Sequence, residues 1–219
     1  VSTTIQMGVT GNNKKTKTEI CRKHFLQIQE KLATNTWAKE NPKSKREIIK
    51  LLRNCNQAFG KITGYIKVLK SISKNLNKND SIKWLNYFSQ IRCAYYLQTQ
   101  GVSITAFEKK VNGKSIDLEI NEATLCEVKS FEPQLKKIEN AIESEEDVFE
   151  NFLENKIKKA LDEQKADLVI VDDIFSYESK TYRFLNYFLS FINDPGTERY
   201  EMIQKKFGKY LPKILILSF

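Results

Sequence analysis

Histidine is nearly absent from this chain, whose 219 residues contain a single one, His24. A mechanism with a histidine base, or a metal site built on histidine ligands, therefore has almost nothing to draw on. Cysteine is scarce as well: Cys21, Cys55, Cys93 and Cys126 are widely spaced and form no Cys-x-x-Cys pair. This spacing predicts reduced, buried thiols, not a disulfide framework or a zinc site. Carboxylates and lysines are left to carry any chemistry.

The chain also lacks an apolar run long enough to span a membrane and a signal-peptide pattern, so we expect a cytoplasmic protein without a membrane partner. A hydrophobic content of 41% with only four prolines predicts a folded protein and not a disordered one. The length is sufficient for one domain with a core of ordinary size and an appendage.

Positive charge is concentrated in the first part of the chain. The formal net charge is +9, and residues 1–80 carry 17 Lys and Arg against 5 Asp and Glu, whereas the remainder carries 19 against 22. A basic region beside a nearly neutral one is typical of a protein that binds a polyanion such as nucleic acid. A lysine-rich proteome that favours solubility is the alternative explanation.

The basic region is predicted to be helical. After a disordered start at residues 1–15, apolar spacing predicts helices over 18–32, from Pro42 onward, and over 57–74, with Gly60 and Gly64 marking a break. One face of the second helix could follow a phosphate backbone, although lysine opposite an apolar stripe is also typical of any surface helix. The candidate nucleic-acid-binding residues on that face are Lys45, Arg46, Lys50 and Arg53.

The most informative stretch is 115–131. Residues 115–120 alternate strictly between polar and apolar, which predicts a half-buried strand. Residues 124–131 predict a second strand, and the three residues between them suit a tight hairpin loop.

The register of that hairpin is predicted to bring two carboxylates together. If Ile120 pairs with Thr124, Asp117 lies across from Glu127. Like charges facing each other are destabilising, so two such carboxylates favour a cation between them, and oxygen ligands of this kind suit Mg²⁺. Lys129 follows Glu127 by one strand period and would reach the same point, where it could position a water or stabilise developing charge.

Asp117, nine intervening residues and Glu127-Val128-Lys129 resemble the PD-(D/E)XK motif of the restriction-endonuclease-like nuclease superfamily. Ile116 stands where that motif often has proline. The resemblance covers about residues 81–219. It implies that Asp117 and Glu127, with the backbone carbonyl of Val128, hold Mg²⁺ or Mn²⁺, and that Lys129 is catalytic.

The same resemblance identifies an auxiliary position on the helix before the hairpin, where the family often has a glutamate and this chain has Gln90. An amide oxygen ligates a metal more weakly, which leaves the number of metal ions open. Glu119 could compensate from the strand of Asp117, or could be a rim residue. Four further Glu-x-Lys pairs are interpreted as parts of polar helices or loops. They begin at Glu108, Glu154, Glu163 and Glu178. The alternative for the whole motif is an exposed hairpin that carries a salt bridge.

The predicted fold class is α/β, with a restriction-endonuclease-like core of a mixed central sheet flanked by helices. The predicted order of helices and strands from residue 81 is αβββαβαβ, and the basic helical region at 16–80 precedes it. The first strand is predicted at 102–111, and an Asn112-Gly113 turn leads from it into the motif hairpin. The last two strands are predicted at 168–174 and 213–219, and a helix is predicted at 181–192. Asp172 and Asp173 end the first of these strands, where paired acids can bind metal but more often solvate a strand end.

Three functional hypotheses follow. The first is a Mg²⁺-dependent endonuclease that cuts DNA rather than RNA, with the question of a homodimer left open. The second is a non-catalytic nucleic-acid-binding module on the same fold, which the neutral Gln90 favours. The third is a nuclease toxin domain of an interbacterial competition system.

Overall fold

The computed structural model describes residues 16–40, 42–76, 83–130, 144–173, 188–189 and 195–217. The predicted start at 1–15, most of the predicted helix at 181–192 and the predicted boundary between residues 80 and 81 lie outside these ranges.

The basic region forms four helices: α1 (Lys17–Thr34), α2 (Thr36–Glu40), α3 (Pro42–Phe59) and α4 (Tyr65–Asn75). Thr16 and Glu19 form a capping box at the start of α1, in which each side chain bonds the other residue's backbone N–H. The predicted break between α3 and α4 is confirmed. Gly64 has a φ of 84°, and a Cβ there would lie 1.7 Å from the carbonyl oxygen of Phe107, so only glycine lets α4 begin against the sheet.

The next elements are α5 (Lys83–Thr99), β1 (Ile104–Val111), β2 (Lys114–Ile120) and β3 (Thr124–Ser130), and the three strands are antiparallel neighbours. Asn112 and Gly113 join β1 to β2 with φ values of 50° and 80°, the left-handed pair that a two-residue hairpin turn requires. Ile120 pairs with Thr124 and Leu118 with Cys126. The predicted register of the second hairpin is therefore confirmed.

The chain continues through α6 (Glu145–Phe152), a π-helical turn (Leu153–Lys158) and α7 (Lys159–Asp162) into β4 (Leu168–Asp172). It ends with α8 (Glu198–Phe207), a 3₁₀ turn (Leu211–Lys213) and β5 (Ile214–Leu217). β4 pairs in parallel with both β3 and β5, which gives the order β1-β2-β3-β4-β5. The predicted α/β class is confirmed as a five-stranded mixed sheet flanked by helices.

Two apolar cores cover the sheet. The first joins α1–α5 to Phe107 of β1, Leu118 of β2, and Cys126 and Val128 of β3. The second joins α6–α8 to Val169 and Val171 of β4. The basic helical region therefore shares its core with the sheet. None of the described helices combines the length and apolarity needed to cross a membrane.

The four cysteines are free and buried, as predicted. Burial raises the pKa of Cys126 to about 12, so that its thiol stays protonated and unreactive at neutral pH.

The acids at the end of β4 do not solvate the strand end. Asp172 is 2% exposed and Asp173 is 5% exposed, and Asp172 forms an ion pair with Arg92 of α5. The expectation of a solvated strand end was wrong because α5 crosses the sheet at this point and brings a buried guanidinium to the acid.

Candidate functional site

The site lies where β2 and β3 stop pairing. Their paired residues run from Ile120–Thr124 to Leu118–Cys126, and Asp117 is the next residue of β2. Its carboxylate accepts a hydrogen bond from the Val128 backbone N–H at 2.9 Å through Oδ2. Through Oδ1 it accepts one from Nε2 of Gln90 at 2.6 Å. The side chain thus satisfies a backbone donor at the fork and is fixed in position by it.

The electrostatic environment of Asp117 is unfavourable to its charge. Burial, followed by the negative charge of Glu127, raises the pKa of Asp117 well above its ordinary value, and Glu108 adds to this. The Lys129 ammonium and the Val128 N–H act in the opposite direction. Carboxyl groups are therefore crowded at this point, and either a proton on Asp117 or a bound cation would relieve their repulsion.

Glu127 and Lys129 contact each other directly. Lys129 Nζ lies 2.5 Å from Glu127 Oε2, and the Glu127 side chain is 3% exposed whereas that of Lys129 is 19% exposed. The second carboxylate oxygen, Glu127 Oε1, is buried and has no hydrogen-bond partner among the described residues. A buried carboxylate oxygen without a donor is costly, and this one faces the same cluster as Asp117.

Gln90 lies at the cluster, as the resemblance led us to expect, but its amide nitrogen faces the acids. Nε2 donates to Asp117 Oδ1 and, at 3.2 Å, to Glu108 Oε1. Its oxygen Oε1, the atom that could ligate a metal, is buried without a partner among the described residues. A rotation of the amide by 180° would exchange the two atoms.

Glu108 is the residue of this cluster that the sequence interpretation missed. Glu108 lies in β1, so the prediction that Glu108 and Lys110 belong to a polar helix or loop was wrong. Its carboxylate accepts from Gln90 Nε2, from Ser115 Oγ at 2.9 Å, and from Lys67 Nζ of α4 at 3.0 Å. Its φ of 49° interrupts the regular strand geometry.

A signal for Glu108 was present in the chain. The Asn112-Gly113 turn fixes the register in which Phe107 pairs with Leu118 and Lys109 with Ile116. Glu108 therefore falls opposite Asp117, and an alignment drawn from that turn would have found it.

The structure brings together Asp117, Glu127 and Lys129, with Gln90 and Glu108 beside them. It does not bring Glu119 to this cluster. The Glu119 carboxylate is engaged by the Lys109 ammonium and by Thr105 Oγ1.

The basic face of α3 stays a prediction. Arg46, Lys50 and Arg53 are exposed, and Lys45 is half-buried. Within the described ranges, none of the four forms an ion pair.

The donor set at the fork fits a hard divalent cation in part. Asp117 and Glu127 contribute carboxylate oxygens, and the unpartnered Glu127 Oε1 is suited to a ligand role. In the described part of the chain, no three or more His, Cys, Asp and Glu side chains are arranged to hold a metal ion. An ion here would depend on two carboxylates and non-side-chain ligands, which Mg²⁺ accepts readily because it keeps several waters.

Comparisons of the chain with protein-family models, with curated proteins and with solved structures find no match. A function for this protein therefore depends on the geometry of the site.

Proposed function

We propose that this protein is a Mg²⁺- or Mn²⁺-dependent nuclease with a restriction-endonuclease-like core, acting on DNA rather than RNA. The observation that carries the proposal is the convergence of Asp117, Glu127 and Lys129 at the β2–β3 fork, where no described residue donates to the buried Glu127 Oε1. Two crowded carboxylates with one amine and one orphan oxygen suit a bound cation and a phosphodiester better than a structural salt bridge, which would balance its charges.

The arrangement of the fold supports this proposal. From α5 onward, the described elements follow the order helix, three strands, helix, strand, helix and strand, with the segment between β4 and α8 largely outside the described residues. This is the order that the resemblance implies for the nuclease core.

In the proposed mechanism, Asp117 and Glu127 would hold the metal ion together with the Val128 carbonyl. A bound Mg²⁺ would polarise a phosphoryl oxygen and make an attacking water more acidic. Lys129 would orient that water or stabilise charge on the phosphate, because its ammonium contacts Glu127 and its side chain is 19% exposed. The Val128 N–H and the Gln90 amide keep the Asp117 carboxylate in a fixed orientation.

The test is cleavage of plasmid DNA and of structured RNA with Mg²⁺, with Mn²⁺ and with EDTA. We expect metal-dependent cutting of DNA that falls by about 100-fold or more in Lys129→Ala, the usual cost of removing a group that stabilises transition-state charge. Lys110→Ala is the matched control, since Lys110 is an exposed lysine on β1 that follows a glutamate by two residues. Equal activity of wild type and Lys129→Ala would contradict the assignment.

A second candidate is a non-catalytic nucleic-acid-binding module on the same fold. The observation that favours it is the Gln90 amide nitrogen, which donates to both Asp117 and Glu108 and thus supplies two acids with a protein donor. This alternative predicts DNA binding that is unaffected by EDTA and by Lys129→Ala, with no cleavage under any metal condition.

A further inference from the structure

A pocket between α1 and α3 lies in the basic helical region and is lined by residues outside the acid cluster. Its volume is about 510 Å³, within the range of small-molecule sites. Its lining residues are Thr18, Cys21, Arg22, Phe25, Leu26, Arg53, Asn56, Gln57, Gly60 and Lys61.

The charge of the lining is of one sign. Arg22, Arg53 and Lys61 are exposed cations, and none of the described residues that line the pocket is acidic. Over the part of the chain that the structure describes, none of the three cations forms an ion pair. Three cations around one cavity repel each other, and an anionic ligand would relieve that repulsion.

Two apolar side chains contribute to the rest of the lining. Phe25 is half-buried against the first core, and Leu26 at the pocket is 48% exposed. They give the pocket an apolar surface beside its cations. The Cys21 thiol is unsuited to covalent chemistry, since burial raises its pKa.

An aromatic face bordered by guanidinium groups fits one class of ligand especially well. A nucleotide combines a flat base, which stacks on aromatic side chains, with a phosphate, which arginine binds through two parallel hydrogen bonds. The side-chain amides of Asn56 and Gln57 line the same pocket and can offer hydrogen bonds to a base edge. An acidic peptide would match the charge but would leave the aromatic face without a flat partner.

We propose that this pocket binds one unpaired nucleotide of a single-stranded nucleic acid, with the base on Phe25 and the flanking phosphates on Arg22, Arg53 and Lys61. The proposal does not depend on nuclease activity. It gives the basic helical region a defined binding site instead of a diffuse positive surface.

The test is the fluorescence anisotropy of a labelled 12-residue oligothymidylate, measured in EDTA so that cleavage plays no part. We expect Arg53→Ala to weaken binding about tenfold, and Lys43→Ala to change it less than twofold. Arg53 and Lys43 are both exposed cations on α3, but only Arg53 lines the pocket. Equal losses in the two variants would overturn the proposal in favour of a diffuse electrostatic surface.

Phe25→Leu tests stacking, because it keeps an apolar side chain of similar size and removes only the ring. We expect about a tenfold loss of affinity for oligothymidylate and no change for an oligonucleotide of abasic sites. Thermal unfolding of each variant checks that the fold is retained.

The proposal would be overturned if Phe25→Leu bound oligothymidylate as tightly as the wild type does. It would also be overturned if the wild type bound the abasic strand as tightly as oligothymidylate. A third contrary result would be polyglutamate competing as effectively as unlabelled oligothymidylate. Duplex DNA of the same length should bind more weakly than the single strand at the same salt concentration, and tighter duplex binding would also contradict it.

Discussion

Helix α5 carries two buried polar side chains two residues apart, Gln90 and Arg92. Both contact acidic residues, but only Arg92 contributes a positive charge. Arg92 forms an ion pair with Asp172 of β4, in which both side chains are at most 8% exposed. Gln90 meets Asp117 and Glu108 with a neutral amide. The same helix thus contributes a cation to the acid on β4 and only a neutral amide to the acids at the β2–β3 fork.

The difference separates a structural contact from a candidate site. A buried ion pair is a closed arrangement, because removing either partner leaves an uncompensated charge. Among the described residues at the fork, the carboxyl groups of Asp117, Glu127 and Glu108 outnumber the ammonium groups of Lys129 and Lys67. Acids with perturbed pKa values cluster at functional sites, which is why the fork is the candidate site.

The largest effect is expected at the matched pair. Asp172→Asn keeps the shape of the side chain but removes the carboxylate charge that pairs with the buried Arg92 guanidinium. We expect the free energy of unfolding to fall by about 3 to 5 kcal/mol, measured by chemical denaturation. A loss below about 1 kcal/mol would show that this pair is solvated in solution, and the comparison between the two contacts would fail.

The second prediction concerns the charge of Glu108. Glu108→Gln keeps one acceptor oxygen, turns the other into an amide donor, and removes one negative charge from the cluster. We expect Mn²⁺ affinity to fall about tenfold, the effect of altering a group that supports metal ligands, as measured by isothermal titration calorimetry. Glu119→Gln is the matched control, because Glu119 is a buried acid on β2 engaged by Lys109 instead of the cluster. Equal losses in both variants would indicate a general charge effect.

The third prediction is a gain in stability. Asp117→Asn removes a half-buried carboxylate whose pKa is raised by burial and by Glu127. The new amide can donate to the Gln90 side chain, whose Oε1 has no donor among the described residues. We expect the free energy of unfolding at pH 8 without metal to rise by about 1 kcal/mol, as is common when a functional site is relaxed. A destabilised variant would mean that the Asp117 charge is a structural requirement.

The same variant tests how the contribution of Asp117 to the free energy of unfolding changes with pH. Because the pKa of Asp117 is raised in the folded protein by burial and by Glu127, the folded state retains a proton that the unfolded state has released. The contribution of Asp117 to the free energy of unfolding is therefore most favourable near and below its unfolded pKa of about 4, and it decreases as pH rises through the folded pKa. Denaturation of wild type and Asp117→Asn at a series of pH values should show the difference widening toward high pH.

The smallest effect is expected at the edge of the cluster. Lys67 is 54% exposed on its side chain and contacts Glu108 at 3.0 Å, so Lys67→Ala should lower the free energy of unfolding by about 0.5 kcal/mol, the usual value for an exposed ion pair. Raising the salt concentration should reduce this difference further. A loss comparable to that of Asp172→Asn would mean that surplus and matched charges stabilise the fold alike.

Local patterns in the chain were sufficient for most helices, for the three antiparallel strands and for the alignment of Ile120 with Thr124. Each of these depends on neighbours in sequence: a capping box at Thr16, an Asn-Gly turn, a strict two-residue alternation. The fold class follows from the order of these elements. The role of Glu108 was missed because the sequence around it was interpreted from its polar composition and not from its position on β1.

What the amino-acid sequence determined by itself is the meeting of Asp117 with the strand of Glu127 and Lys129, because a three-residue loop and a two-residue period fix both faces of a hairpin. Only the tertiary structure decided which atoms of Gln90 face the acids, that Lys67 contacts Glu108, and that Arg92 is buried with Asp172. These contacts join residues 18 to 80 positions apart. They depend on how helices α4 and α5 pack across the sheet, and no local spacing in the chain encodes that packing.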